Sequence, residues 1–355
     1  MEKREPVVKV RQLSLNNLVP GLELARDVVS SDGKVLIGAG TIVSNHTIGK
    51  LKNWEIKTVD IVGEVAVNPI LSPEVQQFVN SYNRSVTVVQ QAFDTLRSTQ
   101  EVSLETFTAT ANELADGVRA AGNIVDRLYD LPPCDDATFQ HSVNVSVIAT
   151  LIATWQGYPP EIVNAVSLTG LLHDVGKSQL PPTLLNRPSL LAEADYDFYK
   201  KHVAYGFELL RKIPDLSDSV KVGVLQHHER NNGFGYPYRV AADKIHPYAR
   251  IVAVADIYDE ALTVDRDPEL IYSPYSGVEK VADEKHVADP EICLMFVRRM
   301  HNYLSGNIVA LNDGRQGRVV CLNEVSPSRS IVQLASGAIL DLAGDPELRI
   351  RHVIR

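Results

Sequence analysis

Seven side chains between residues 141 and 256 have the chemistry to hold metal: His141, the adjacent His173 and Asp174, His202, the adjacent His227 and His228, and Asp256. Imidazoles mixed with carboxylates suit Fe, Mn or Zn, whereas Mg and Ca prefer all-oxygen shells. Seven donors exceed what one tetrahedral ion takes and match two ions that share a carboxylate. The natural division gives His141, His173, Asp174 and Asp256 to one ion. The other receives Asp174, His202, His227 and His228, so Asp174 is the expected bridge. Taken singly, each histidine is more often a satisfied core or surface group; it is the order of the set along successive helices that favours metal. The pair His173-Asp174 poses a geometric problem, because adjacent helical side chains point about 100° apart. The two can serve one centre if the helix ends there, as Gly176 suggests, with Lys177 adding positive charge beside Asp174. The local alternative is a helix end whose His and Asp only cap it.

The elements that position these residues read mostly as helices. Asp135–Val145 opens a helix running to about Trp155, and Pro159-Pro160-Glu161 starts the one that runs into the His-Asp pair. One amphipathic helix is expected over Leu190–Ile213, carrying His202 and Gly206. A shorter one over Asp218–Glu229 ends in His227-His228, and one over Ile245–Leu262 carries Asp256. Upstream, Ser72-Pro73-Glu74 is a helix start, followed by apolar residues at alternating spacings of four and three from Val75 to Leu96 and again from Leu104 to Leu128. Two such stripes fit a hairpin packed within one bundle or a coiled-coil element that joins two copies of the chain through residues 75–128. Short Val/Ile/Leu runs with Gly and Asp-Gly turns mark β-rich flanks, the first of which includes one helix over Ser44–Trp54. The resulting division is 1–68, 69–304 and 305–355, with the helical hairpin at about 72–130.

A chain of 355 residues is too long for one ordinary core. Its net charge of −9 argues against a nucleic-acid polymer or an anionic membrane as partner, but not against a small anionic substrate. Cys134, Cys293 and Cys321 are too few and too scattered for a disulfide framework, which suits a reducing compartment. No signal peptide and no run of the ~18–20 apolar residues that span a bilayer is read. The expectation is a cytoplasmic protein.

Several blocks, in order, resemble the HD-GYP domain, the branch of the HD phosphohydrolases associated with cyclic di-GMP hydrolysis. They are Asp135–Val145, Leu171–Lys177, Lys201-His202, His227–Pro237 with its Gly235-Tyr236-Pro237 tripeptide, Arg250–Asp259 and Leu262–Arg266. The resemblance implies a mainly α fold, an all-helical HD-type bundle flanked by the two β-rich modules. It implies a phosphodiesterase that opens cyclic di-GMP to linear pGpG and onward to GMP, through a hydroxide shared by two divalent ions. Fe or Mn are the expected metals, with Zn, Ni and Co as further options. Asp174 and Lys177 are the expected catalytic residues, and Lys177, Gly235, Tyr236 and Arg266 the expected substrate contacts. Ala137 stands where some members carry a glutamate that helps hold a third metal, so two ions are inferred. Asn232 replaces the usual aspartate of the loop, and Glu260 is one residue more than the usual run after Asp259. That insertion rotates Arg266 by about 100° relative to Asp256 on a continuous helix.

Three rivals stand beside this reading. One is a receptor that binds the dinucleotide or a signalling partner protein without turnover. Another is an HD phosphohydrolase for a different nucleotide. The third is a di-iron oxygenase, which Lys177 and the arginines disfavour.

Overall fold

The computed structural model describes residues 10–15, 18, 24–30, 34–41, 43, 45–54, 56–62, 73–99, 103–121, 124, 128, 137–185, 191–263 and 273–354. The chain divides into two compact units, Met1–Leu71 and Ser72–Ile354. In the first, β1 (Val10–Ser14) pairs antiparallel with β4 (Thr58–Val62), and β2 (Val28–Val29) pairs with β3 (Val35–Ile37). Helix α1 (Asn45–Asn53) completes it, over a small core of Leu13, Leu24, Val43, Leu51 and Ile61.

The second unit is an α-helical bundle carrying a small sheet. Its first pair, α2 (Pro73–Thr99) and α3 (Leu104–Ala121), carries the two apolar stripes. Tyr82, Val89, Phe93 and Leu96 on one and Phe107, Ala111 and Leu114 on the other are buried in the chain's own core. The intramolecular packing of the hairpin therefore accounts for the stripes, and no dimer contact is needed to cover them. The described span of the second helix is Leu104–Ala121; further along its stripe Leu128 is buried, and Val125 lies outside the described residues.

Helix α4 (Ala137–Trp155) runs through the centre and is buried on nearly every side. Such a helix must satisfy its own polar groups. Ser146 Oγ donates to the Ser167 carbonyl, and Thr150 Oγ1 donates to the carbonyl of Ser146 one turn back. Helix α5 (Pro160–Leu172) packs along it so closely that a Cβ on Gly170 would lie 2.9 Å from Ser146 Cα.

The region expected as one helix over Leu190–Ile213 is two, α6 (Glu193–Tyr199) and α7 (His202–Arg211). The break falls where the Tyr199 carbonyl accepts a hydrogen bond from the imidazole of His202, 2.8 Å away. Then follow α8 (Asp218–Gln226), α9 (Pro247–Thr263), α10 (Pro274–Asp283) and α11 (Pro290–Leu304). Ser217, Ser273 and Asp289 cap α8, α10 and α11 through their side chains, satisfying amides that each first turn leaves free.

The C-terminal strands β5 (Ile308–Leu311), β6 (Gln316–Cys321), β7 (Ile331–Leu334), β8 (Ile339–Asp341) and β9 (Ile350–Ile354) form one antiparallel sheet in the order β8-β7-β6-β5-β9. Val309, Leu311, Val319 and Val332 share a continuous core with the helices, and Ser326 and Ser328 donate to the Glu279 carboxylate on α10. The residues expected as a small C-terminal β module, 305–355, fall through Ile354 in the same compact unit as the helices. Among the described residues no helix is long and apolar enough to cross a membrane.

Candidate metal centre

The His-Asp pair lies at a helix end. Helix α5 stops at Leu172, His173 keeps helical backbone angles, and Asp174 leaves them at φ −99°, ψ 9° before a 3₁₀ turn over Val175–Gln179. This kink turns the two neighbouring side chains toward one point, which a continuing helix would not allow. Gly176 makes the turn possible, because a Cβ there would sit 1.9 Å from the His202 carbonyl oxygen on α7.

The structure brings together all seven expected ligands, from the 3₁₀ junction, α4, α7, the end of α8 and α9. His173, His202 and His227 are fully buried, and Asp174 and Asp256 are each 1% exposed. His141 Nε2 lies 3.2 Å from His173 Nε2, 3.2 Å from Asp256 Oδ1 and 3.6 Å from Asp174 Oδ2. Asp174 faces both ways: its Oδ2 is 3.2 Å from His173 Nε2, and its Oδ1 is 3.4 Å from His202 Nε2. Two clusters have ligand atoms close enough for one ion each, His141/His173/Asp174 and His202/His227/His228.

The ring orientations follow a common rule. His173, His202 and His227 each sit just beyond a helix C-terminus, and each Nδ1 donates to a carbonyl three residues back, of Gly170, Tyr199 and Val224, at 2.7–2.8 Å. Last-turn carbonyls lack intrahelical partners, so the imidazole caps the helix while its tautomer is fixed. Nε2 is then the free ligand atom on all three rings. His141 lies mid-helix, and its Nδ1 donates instead to Asp259 Oδ2 at 2.8 Å. Asp259 Oδ1 accepts from Asn144 Nδ2 at 2.8 Å, and Asn144 Oδ1 accepts from the Tyr82 hydroxyl at 2.5 Å.

That arrangement tests whether metal fits. With both Nδ1 atoms protonated, the His141 and His173 Nε2 lone pairs point at each other across 3.2 Å, which is favourable only with a proton or cation between them. Asp174 Oδ1, Asp256 Oδ2, His202 Nε2 and His227 Nε2 are buried without a hydrogen bond, and Asp174 Oδ2 is engaged by Lys177. Each unsatisfied atom costs about 1–3 kcal/mol. Four together, on imidazoles and carboxylates, fit two divalent cations.

Charge differs across the centre. Burial works against a proton on His141, but hydrogen bonds to Asp256 and Asp259 outweigh it and raise its pKa well above the usual histidine value. Burial pushes His202 down to about 4 and, with the neighbouring imidazoles, holds His227 and His228 well below the ordinary range. Burial opposes charge on Asp174 too, but His173 and Lys177 keep its carboxyl well below the usual range. Lys177 Nζ lies 2.5 Å from Asp174 Oδ2 and over the Tyr199 ring, 5.3 Å from its centroid.

A cavity of about 610 Å³ opens beside the second cluster, lined by Tyr196, Lys200, His228, Phe234, Tyr236 and Glu260 among others. Tyr236 stacks on His228 with ring centroids 4.6 Å apart. Gly235 also lines the cavity, but the position of its missing Cβ faces the chain itself, 2.4 Å from Arg230 N and His228 O. Its smallness therefore serves loop packing. Asn232 Oδ1 accepts from the Phe234 amide, so the amide side chain makes the local turn bond that an aspartate would make. Burial and the charge of Asp256 push the Glu260 carboxyl up to about 8. Arg266 lies outside the described residues.

Reading the sequence missed the supports. Asn144 and Asp259 follow His141 and Asp256 at a spacing of three, so each pair shares a helix face, a signal that was present. Glu229, buried at 2%, accepts from the amides of Tyr238 and Val240 and pins the loop that carries Tyr236. Nothing local to Glu229 announces that role.

Comparison with known proteins agrees with this architecture. The HD domain family matches residues 130–285. The chain is 31% identical over 254 residues to the cyclic di-GMP phosphodiesterase PA4108 of Pseudomonas aeruginosa, covering 70% of this chain and 60% of that protein. It is 32% identical over 155 residues to the 3′3′-cGAMP-specific phosphodiesterase 1 of Vibrio cholerae, covering 44% of this chain and 34% of that protein. The chain thus spans under two thirds of the length of either relative. The fold matches Bd1817, an HDG"Y"P protein from Bdellovibrio bacteriovorus, at a TM-score of 0.55 and 16% identity, over 82% of this chain and 99% of that one. With its His-Asp kink, its paired histidine clusters and its Gly-Tyr-Pro loop at the cavity, this chain carries an HD domain over residues 130–285 and is similar to HD-GYP proteins.

Proposed function

We propose that the chain is a metal-dependent phosphodiesterase that opens cyclic di-GMP to the linear dinucleotide pGpG, with GMP as the product of a second cut. The observation that supports this best is the set of buried, unpaired ligand atoms on His202, His227, Asp174 and Asp256 beside a cavity lined by aromatic and basic side chains. Its volume of about 610 Å³ lies within the range of small-ligand pockets.

His141, His173, Asp174 and Asp256 would hold one ion, and Asp174, His202, His227 and His228 the other. Fe or Mn suits the mixture of nitrogen and oxygen donors. When bound, a pair of divalent ions would lower the pKa of a water and offset charge on phosphate oxygens. The chain's own residues do the rest. Asp174 sets the spacing of the clusters through its two oxygens, and Asp259 fixes the His141 ring. Lys177, held by Asp174 and the Tyr199 ring, presents a compact positive charge to a non-bridging phosphate oxygen. Tyr236 offers its hydroxyl edge from a ring braced on His228. Arg266 remains a proposed phosphate contact on sequence grounds alone.

A second reading, a mixed guanine–adenine cyclic dinucleotide as substrate, is favoured by the Vibrio relative named for 3′3′-cGAMP. The deciding experiment loads purified protein with Mn or Fe and separates the products of cyclic di-GMP and 3′3′-cGAMP by chromatography. Conversion to linear dinucleotide that Asp174→Ala abolishes is the expected result. Both substrates left intact at full metal occupancy would overturn the hydrolase reading.

A further inference from the structure

Glu260 is the residue for which the metal chemistry finds no use. It lies on α9 four residues beyond the ligand Asp256, so it shares that helix face, about 6 Å further along the axis. It is half-buried, lines the cavity, and lies within electrostatic reach of Tyr199 and Tyr236. The other acid on the wall, Glu284, is engaged by Lys280 at 2.6 Å. No hydrogen bond or ion pair engages the Glu260 carboxylate among the described residues, and it stays out of both ligand clusters. Around it stand exposed aromatic faces, Tyr196 at 40% and Phe234 at 87%, and the cations Lys200 and Arg239.

We infer that Glu260 reads the base of the bound nucleotide, accepting hydrogen bonds from the N1–H and exocyclic amine of a guanine that stacks on the cavity's aromatic wall. This deepens the proposed function and rests on the cleft being a cyclic-dinucleotide site. Burial and the charge of Asp256 push the Glu260 carboxyl up to about 8, and the two donors of a bound guanine draw it back to the ionised form; that carboxylate is acceptor-only, which makes the contact selective. Guanine presents two adjacent donors on its Watson–Crick edge, which a carboxylate can take together. Adenine presents an acceptor at N1 and a single amine, so one oxygen would face a lone pair, a repulsive element that adds to the selectivity. The distance along α9 also suits the assignment, since a ribose of comparable span separates the phosphate of a nucleotide from its base. Lys200 and Arg239 would meet the second phosphate.

The test compares wild type, Glu260→Gln and Glu260→Ala on cyclic di-GMP, 3′3′-cGAMP and cyclic di-AMP, by kcat/KM and by calorimetric binding, with metal content measured on each. Wild type should prefer cyclic di-GMP, then the mixed dinucleotide, then cyclic di-AMP. Glu260→Ala should shrink the preference for cyclic di-GMP over cyclic di-AMP by about 10- to 100-fold, the scale of a lost bidentate base contact, mainly through KM. Glu260→Gln, which keeps one acceptor, should fall between. Equal losses on all three dinucleotides, or a variant that loses metal, would overturn base reading and assign Glu260 to the metal centre or to structure. If no dinucleotide is hydrolysed but binding still shows the guanine preference and its loss in Glu260→Ala, the hydrolase reading fails and base reading stands. If no dinucleotide binds, both fail.

Discussion

The two halves of the candidate metal centre are built differently. The cluster around His141 and His173 mixes imidazole with carboxylate, and its His141 ring is held by another carboxylate, Asp259. The cluster of His202, His227 and His228 is all imidazole except for the Asp174 oxygen that reaches it, and two of its rings are held by backbone carbonyls. Without metal, the first half attracts a proton and the second repels one. In the proposed centre one bridging aspartate would join an anionic site to a neutral one, so the two ions should differ in affinity, in proton release and in their response to mutation.

The largest effect should come from the residue common to both. Asp174→Ala should empty both sites and lower kcat by roughly 10³-fold or more, the scale of losing preorganised charge at the reacting group. Retained turnover would break the idea of a shared carboxylate.

Asp259→Asn separates the halves. Losing the carboxylate behind a ligating histidine typically costs about 10–100-fold in metal affinity. Titration with Mn should show that loss for one ion and an unchanged second ion; equal weakening of both would erase the distinction.

Acid sharpens the comparison in metal-free protein. The folded pKa of His202, about 4, is below its unfolded value of ~6.5, so the unfolded chain binds more protons in that window. The stability contributed by keeping His202 neutral is complete above about pH 6.5 and is lost as pH falls toward 4. His141 has the opposite sign: its raised pKa contributes stability below about 6.5 that is lost as pH rises through the folded value. Thermal melts of chelator-treated protein between pH 7 and pH 4.5 should therefore show a shallower acid decline for His202→Gln than for wild type. An unchanged slope would contradict the electrostatic contrast.

The smallest effect is expected at the far end of the support chain. Tyr82→Phe removes the hydroxyl that donates to Asn144, at a cost of about 0.5–1.5 kcal/mol in melting experiments. A small loss of metal affinity in the His141 cluster alone should accompany it.

These contrasts also show where sequence reading stops. The seven candidate ligands were legible as a set because metal chemistry requires particular residue types, and the helix break at His173-Asp174 because two adjacent side chains cannot otherwise converge. The break between α6 and α7 was not legible: apolar periodicity runs through Lys200-Lys201, and the helix breaks where the His202 imidazole donates to the Tyr199 carbonyl. The second stripe promised a longer helix than α3, and most of the stretch between Ala121 and Leu128 lies outside the described residues. Gly235 was expected to approach substrate; it lines the cavity, and the side that a Cβ would occupy packs on its own loop, a distinction only backbone geometry makes. Glu260, seen in sequence only as an insertion, gains meaning from lying one turn beyond Asp256 on a cavity wall.

The most direct test of the shared centre counts ions. Metal content should be measured on wild type, His141→Ala and His202→Ala, each purified without added metal or chelator. Two ions per chain in wild type and one in each variant are predicted, with the remaining ion in opposite halves. One ion in wild type, or two retained in either variant, would contradict two clusters joined through Asp174.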